Sequence, residues 1–307
     1  MSYQVKYISC RVCGKDTPRW LGVRGNKEHA GVDTDVGENV EHLVTNVVRC
    51  QYCHFVYTNP LILNEGATAL EGGYGEAEVY DASSSVNPEI LFVQTLKKIE
   101  QFRKPPGVLL DIGCGKGEFL KVARDRGWSV AGVEASRGMA EYATKTLKLD
   151  VFCGSLKDSK WPDHSFDVIT LNMVLEHVHA PHDLFGDISR LLKPDGILFV
   201  EVPNMDSFML ACARFYFRLR KLDWSPLLSP LHPPYHCYGY NKKSLAKLAG
   251  QHGFKPKKVM ITDTRWRGFR PEGGHLRFEK WVRNATTGFS YFIGRGDVLL
   301  MILGRRG

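Results

Sequence analysis

The sequence predicts an α/β fold: a doubly wound, mostly parallel sheet, preceded by a small four-thiolate metal ribbon. Three observations carry this reading. Short apolar runs alternate with amphipathic stretches between residues 105 and 204. A glycine-rich loop stands at the first strand-to-helix turn, and an acidic residue ends the next strand. Two Cys-x-x-Cys pairs lie in the first third of the chain.

The pairs are Cys10 with Cys13 and Cys50 with Cys53. Two thiolates three positions apart on a tight knuckle grip one ion, and two knuckles complete the tetrahedral site that zinc prefers. Four cysteine ligands close such a site, so the zinc is structural. No apolar signal-peptide core follows Met1, so a cytoplasmic location and reduced thiols are expected. Cys114, Cys153, Cys212 and Cys237 read as packing residues. The ribbon is placed at 1–63, with a strand around Val44, Val47 and Val48. Residues 64–104 read as a linker and an N-terminal lid helix capped by Asn87-Pro88, with Tyr74 and Tyr80 before it.

The larger domain is placed at 105–307. Val108 to Ile112 reads as a strand, Glu118 to Arg126 as a helix ended by Gly127, and Ser129 to Val133 as a second strand ending at Glu134. A helix follows at 137–148, then a strand from Phe166 to Leu171. Asp183 to Leu192 reads as a helix, Lys193 to Gly196 as a turn and Ile197 to Val202 as a strand. Further on, Asn241 to His252 reads as a helix closed by Gly253, with strands at 257–261 and 297–303. The loop Asp111-Ile112-Gly113-Cys114-Gly115-Lys116-Gly117 lets a ligand approach the backbone beside a helix N-terminus. A carboxylate at Glu134 can accept both hydroxyls of an adenosine ribose.

DIGCGKG, VAGVE, HSFDVITLNMVLEHV and LLKPDGILFVEVPN together resemble the class I S-adenosylmethionine-dependent methyltransferases. The resemblance is close over 105–204 and looser towards the C-terminus. It implies a Rossmann-like seven-stranded sheet of order 3-2-1-4-5-7-6, with the last strand antiparallel, and S-adenosyl-L-methionine as cofactor. It implies that Asp111, Gly113, Gly115 and Gly117 surround the methionine part and that Glu134 holds the ribose. Ser155 and Leu156 would lie near the adenine, and Asn172 and Met173 would line the methionine end. For Leu156 and Met173, plain core packing is an equal alternative. Quinone-pathway members carry a Glu-x-x-Glu-His metal motif after the fourth strand. This chain reads Met173-Val174-Leu175-Glu176-His177 there, so the first Glu is absent.

The acceptor must touch the loops beyond the carboxyl ends of the strands. Oxygen or carbon acceptors need a base with a pKa near neutrality, which points to histidine. His236, in Pro234-Tyr235-His236-Cys237-Tyr238-Gly239-Tyr240, is the first candidate, because related small-molecule enzymes have a His-x-x-aromatic element there. His177 is the second. Tyr235, Tyr238 and Tyr240 are read as substrate contacts. His164, His182 and His252 read as loop or surface residues. A helical insertion is placed at 205–240, where aromatics alternate with Arg214, Arg218, Arg220 and Lys221. Its favoured reading is a helix whose apolar face packs on the body. The alternative is a lid, or a basic surface that meets lipid-linked substrate.

The chain has 41 Lys and Arg against 33 Asp and Glu, net +8. By segment the net charge is −2 over 1–104, −3 over 105–204 and +13 over 205–307. The excess therefore lies wholly on the expected acceptor side. The leading expectation is O-methylation of a small molecule, such as a sugar or glycan precursor. A phosphorylated or lipid-linked acceptor and a peripheral membrane contact suit the charge. The alternatives are an RNA methyltransferase and a sugar C-methyltransferase. The acidic ribbon disfavours RNA, and sugar C-methyltransferases carry a further C-terminal domain absent here.

Overall fold

The computed structural model describes residues 3–25, 44–64, 88–228, 236–262, 289–290 and 292–306. Tyr74, Tyr80, Asn87 and Tyr235 lie outside them. The first third forms five strands: β1 (Tyr3–Lys6), β2 (Pro18–Gly25), β3 (Val44–Cys50), β4 (Val56–Thr58) and β5 (Leu61–Asn64). Strand β3 buries Thr45 and Val47 on one face and Val48 and Cys50 on the other, the pattern of a strand covered on both sides. The helix α1 (Pro88–Ile99) follows. Its Leu96 and Ile99 are fully buried, and Phe92 meets Phe119 edge to face at 5.9 Å. The segment expected as a lid thus has one face locked into the core.

The central repeat is β6 (Val108–Ile112), α2 (Glu118–Asp125), β7 (Ser129–Glu134), α3 (Arg137–Lys145), β8 (Val151–Cys153), β9 (Phe166–Asn172), α4 (Pro181–Leu191) and β10 (Leu192–Pro203). After it come α5 (Phe208–Leu219), β11 (Tyr238–Gly239), α6 (Lys242–Gln251), β12 (Phe254–Thr262) and β13 (Val298–Arg305). The large sheet runs β8-β7-β6-β9-β10-β13-β12. Counted in chain order from β6, that is 3-2-1-4-5-7-6. Strand β13 is antiparallel to both neighbours, and the other ladders are parallel.

Both faces of the sheet's centre are covered, so its inner strands are apolar almost throughout. Leu96, Ile99, Phe119 and Leu120 pack on one face, and Phe185, Ile188, Leu245 and Leu248 on the other. Asp167 ties the strand starts together: its carboxylate accepts from Val108 N–H at 2.9 Å and from Lys193 at 2.8 Å, and also pairs with Arg103. Lys193 to Gly196, expected as a turn, lies inside β10 as an irregularity in its pairing with β9 between Leu192 and Ile197. His182 and His252, expected at the surface, are partly buried and hydrogen-bonded to each other at 2.8 Å. Asn241 caps α6 in a reciprocal box with Ser244.

The ribbon is not a separate bead. Its sheet runs β11-β4-β3-β2, so its fourth strand comes from far down the chain, with Tyr238 opposite Tyr57 and Gly239 opposite Val56. Val23 also bridges Trp224, and Asn241 Nδ2 donates to His54 O at 3.3 Å. Phe55, Tyr57, Tyr238 and Tyr240 are fully buried in one cluster with Leu171, Leu175 and Leu245. No helix among the described residues is long and apolar enough to cross a membrane.

Candidate active site

The site forms along the carboxyl edge of the parallel strands. On one side, β6 runs into the glycine loop. Gly113, Gly115 and Gly117 all take left-handed backbone, with φ of 71°, 56° and 80°. A Cβ on Gly113 would come within 2.6 Å of Val174, and one on Gly117 within 2.6 Å of Leu149. Gly115 has open space instead, its nearest neighbour being Met139 Sδ at 4.0 Å. The loop is thus packed from behind and accessible at its middle, as a cradle for a ligand requires.

Glu134, at the end of β7, is the pivot of this half. Its Oε2 accepts from Gly115 N–H and its Oε1 from Ser136 N–H, both at 2.8 Å. The carboxylate therefore holds the loop and the start of α3 in register. Gly154 N–H donates to Glu134 O at 2.9 Å, which draws the Ser155–Leu156 turn to the same corner. Ser155 is exposed and donates to Asp158, whereas Leu156 is buried in the core. Asp111 turns towards β9: its Oδ1 accepts from Thr170 Oγ1 at 2.6 Å and from Asn172 Nδ2 at 3.0 Å. Burial pushes its pKa up to about 7, against those two hydrogen bonds. Met173 adopts left-handed backbone, φ 53°, as the chain leaves β9. Asp111, Asn172 and the glycine loop thus form one connected wall.

On the other side, the chain leaving β9 makes a short 3-10 turn, Leu175–His177. His236 reaches it from the loop before β11. The rings of His177 and His236 lie 4.8 Å apart, and His236 Nε2 is 3.8 Å from Glu176 Oε1. Glu176 is 1% exposed, and neither of its oxygens accepts a hydrogen bond among the described residues. Burial pushes its pKa up to about 8, with Glu201 adding to the effect. Glu176, His177 and His236 each offer a ligand atom within 4.8 Å of the others. A buried carboxylate beside two imidazoles is a donor set that fits a divalent cation. His236 supplies the third donor that the 173–177 segment lacks. The partial Glu-x-x-Glu-His resemblance was the sequence signal for Glu176, and its convergence with His236 is visible only in three dimensions.

Tyr238 and Tyr240, expected to touch the acceptor, are instead fully buried, with Phe55 5.3 and 5.0 Å from their ring centres. Tyr238 OH lies 3.4 Å from His179 O. Aromatic packing against the ribbon explains their place in the sequence, and they brace the loop that carries His236. The four ribbon sulfurs come together, with Cys10 and Cys53 Sγ 3.4 Å apart and Cys13 and Cys50 Sγ 3.6 Å apart. A tetrahedral zinc with ~2.3 Å bonds needs sulfurs roughly 3.8 Å apart, so the cluster is of the right size. Cys10 and Cys53 share a hydrogen bond between their sulfurs, which lowers the Cys53 pKa.

Known proteins resemble this chain. A family described as "Methyltransferase domain" matches residues 88–259, more than half of the chain. The chain belongs to that family. It is an S-adenosylmethionine-dependent methyltransferase. The ubiquinone biosynthesis O-methyltransferase of Pelagibacter ubique is 34% identical over 174 residues, 52% of this chain and 68% of that protein. The 2-methyl-6-phytyl-1,4-hydroquinone methyltransferase of Synechocystis is 28% identical over 70% of this chain and 73% of that one. Several other curated relatives are matched over less than two thirds of their length. A SAM-dependent methyltransferase from Methanosarcina mazei shares the fold, with a TM-score of 0.50 at 16% identity, covering 68% of this chain and 96% of that one. In this methyltransferase Glu134 holds the glycine loop, and Glu176, His177 and His236 cluster where the chain leaves β9.

Proposed function

We propose that the enzyme O-methylates a hydroxyl on a small acceptor carrying an apolar tail or a phosphate, with a lipid-linked sugar or glycan precursor as the leading candidate. One observation carries this reading: His236 and His177 converge at the carboxyl edge of the sheet, beside the glycine loop. Methyl transfer from a sulfonium is an in-line displacement, so positioning the two reactants does most of the work. The acceptor hydroxyl must also lose a proton, and His236, 19% exposed at its side chain, is the more accessible of the two histidines. His177, more deeply set, stands second. In the donor half, Glu134 takes the ribose hydroxyls and the loop amides meet the methionine part. Structural zinc in the Cys10, Cys13, Cys50 and Cys53 cluster supports the loop from behind.

The net charge of +13 over 205–307 supports a phosphorylated or membrane-proximal acceptor. The relatives' names, ubiquinone biosynthesis and a phytyl hydroquinone, support an acceptor with an isoprenoid-type tail. The test is His236→Ala. It should retain S-adenosylmethionine affinity by calorimetry while turnover falls about 10²-fold or more. Unchanged turnover would move the base elsewhere.

The unsatisfied carboxylate of Glu176 favours a second reading of the same cluster. Glu176, His177 and His236 would hold a divalent cation, which when bound supplies positive charge to an acceptor oxygen. Metal analysis of the purified chain separates the readings. One metal per chain, insensitive to Glu176→Gln, leaves His236 as base. A second metal, lost in Glu176→Gln, makes the histidines ligands.

A further inference from the structure

Helix α5, Phe208–Leu219, breaks the usual rule for a surface helix: none of its residues is fully buried. Its exposed positions are Met209, Cys212, Phe215, Tyr216, Arg218 and Leu219. At about 100° per residue, the five uncharged ones fall on roughly one third of the circumference. An apolar stripe is therefore turned to solvent, with Phe215 64%, Tyr216 52% and Leu219 67% exposed. Leu210, on the other side, packs against the cluster of Val47, Val56 and Met205, so the helix is apolar on its inner side as well. The stripe is extended beside the helix by Phe292, 85% exposed, and by Phe289, whose ring lies 5.1 Å from that of Phe208.

The charges around the stripe are of one sign. Residues 208–223 contain Arg214, Arg218, Arg220 and Lys221 against Asp223 alone. Arg218 and Arg220 flank the stripe on its two sides, and the Arg220 guanidinium donates to Tyr216 OH at 3.1 Å. On the inner side, Arg214 sits near Arg49, Arg19 and Arg218, whose charges together with burial push its pKa down. Among these, Arg49 is paired with Asp206 at 3.2 Å.

We propose that α5, with Phe289 and Phe292 near it, forms a docking surface for an anionic lipid bilayer. The apolar stripe enters the headgroup boundary while the flanking arginines stay with the phosphates. Charge selects this occupant over a second copy of the chain. The charges beside the stripe are basic and complement anionic headgroups, whereas a second copy would bring only further basic charge to it. The location makes the docking productive. Helix α5 leaves the carboxyl end of β10 just after Asn204, which bridges Tyr240, and Met205 N–H donates to Tyr240 O at 2.9 Å. The helix thus starts next to the segment that carries His236, on the side where a tailed acceptor would enter.

The test is flotation with vesicles of phosphatidylcholine containing phosphatidylglycerol, in the absence of donor and acceptor. Its outcome is therefore independent of whether the enzyme methylates the proposed substrate. The wild type should float with these vesicles, bind phosphatidylcholine alone far less, and detach as salt is raised. Phe215→Ser with Leu219→Ser should weaken binding about tenfold or more. Both residues are exposed, and unchanged S-adenosylmethionine affinity would report an intact fold. A wild type that stays with the aqueous phase, or a double variant that floats equally well, would overturn the proposal. A dimer in sedimentation that the double variant abolishes would overturn it too, by giving the stripe to a second copy.

Discussion

The two halves of the proposed active site are built in opposite ways. The donor half is local: Asp111, the glycine loop, Glu134 and Asn172 come from one run of alternating strands and helices, joined by hydrogen bonds such as Gly115 to Glu134 and Asn172 to Asp111. The acceptor half is assembled from three distant pieces. His236 precedes β11, β11 pairs with β4 of the ribbon, and Glu176 and His177 arrive from the end of β9. The donor half therefore needs only the central sheet, while the acceptor half needs the ribbon as well. Backbone geometry governs the first, and tertiary packing around Phe55 governs the second.

The sharpest way to break this comparison is to remove the second knuckle. Cys50→Ser with Cys53→Ser should unseat β4 and the loop paired to it, lowering methyl transfer about 10³-fold with the metal lost. S-adenosylmethionine affinity, measured by calorimetry, should stay within about threefold. An equal loss of donor affinity would mean that the halves are not separable. The converse variant is Glu134→Ala. It strips a charged acceptor from Gly115 and Ser136 and should weaken donor binding about 10²-fold while metal content stays unchanged. A metal-depleted Glu134→Ala protein would contradict the division.

The smallest effect concerns stability. Asp167 is 2% exposed, and Lys193, the Val108 amide and Arg103 hold its pKa below the ordinary 3.8 although burial alone would raise it. Asp167→Asn should cost about 2 kcal/mol in denaturant titration at neutral pH. Because the folded pKa is lowered, the carboxylate's contribution is present above the ordinary value and fades as pH falls through the folded one. The gap between wild type and variant should therefore close in acid. A gap that widened in acid would remove Asp167 from its place as the tie between strands.

The same contrast explains what could be read from sequence. Gly113, Gly117 and Glu134 were legible because their reasons are local: left-handed backbone, close packing and a strand end at a set spacing. The Cys pairs were legible for the same reason. Tyr238 and Tyr240 were misassigned because aromatic residues beside a candidate base look the same whether they meet a substrate or Phe55. Glu176 drew no role because its meaning depends on His236, which sits 60 positions later in the sequence. Helix α5 shows a different limit. Periodicity reveals an apolar stripe, but which way it faces depends on neighbours that the helix itself does not encode.

The ribbon's borrowed strand also has a consequence for how the protein is made. Strands β2 to β4 leave the ribosome first, whereas β11 follows some 180 residues later. In that interval the outer edge of β4, Val56–Thr58, is a bare row of amides and carbonyls next to buried aromatics. The nascent ribbon must therefore wait, open on one side, for a segment that arrives only after the whole central repeat has emerged. Chaperone dependence, rather than final stability, is where a lesion in β4 or β11 would first be felt.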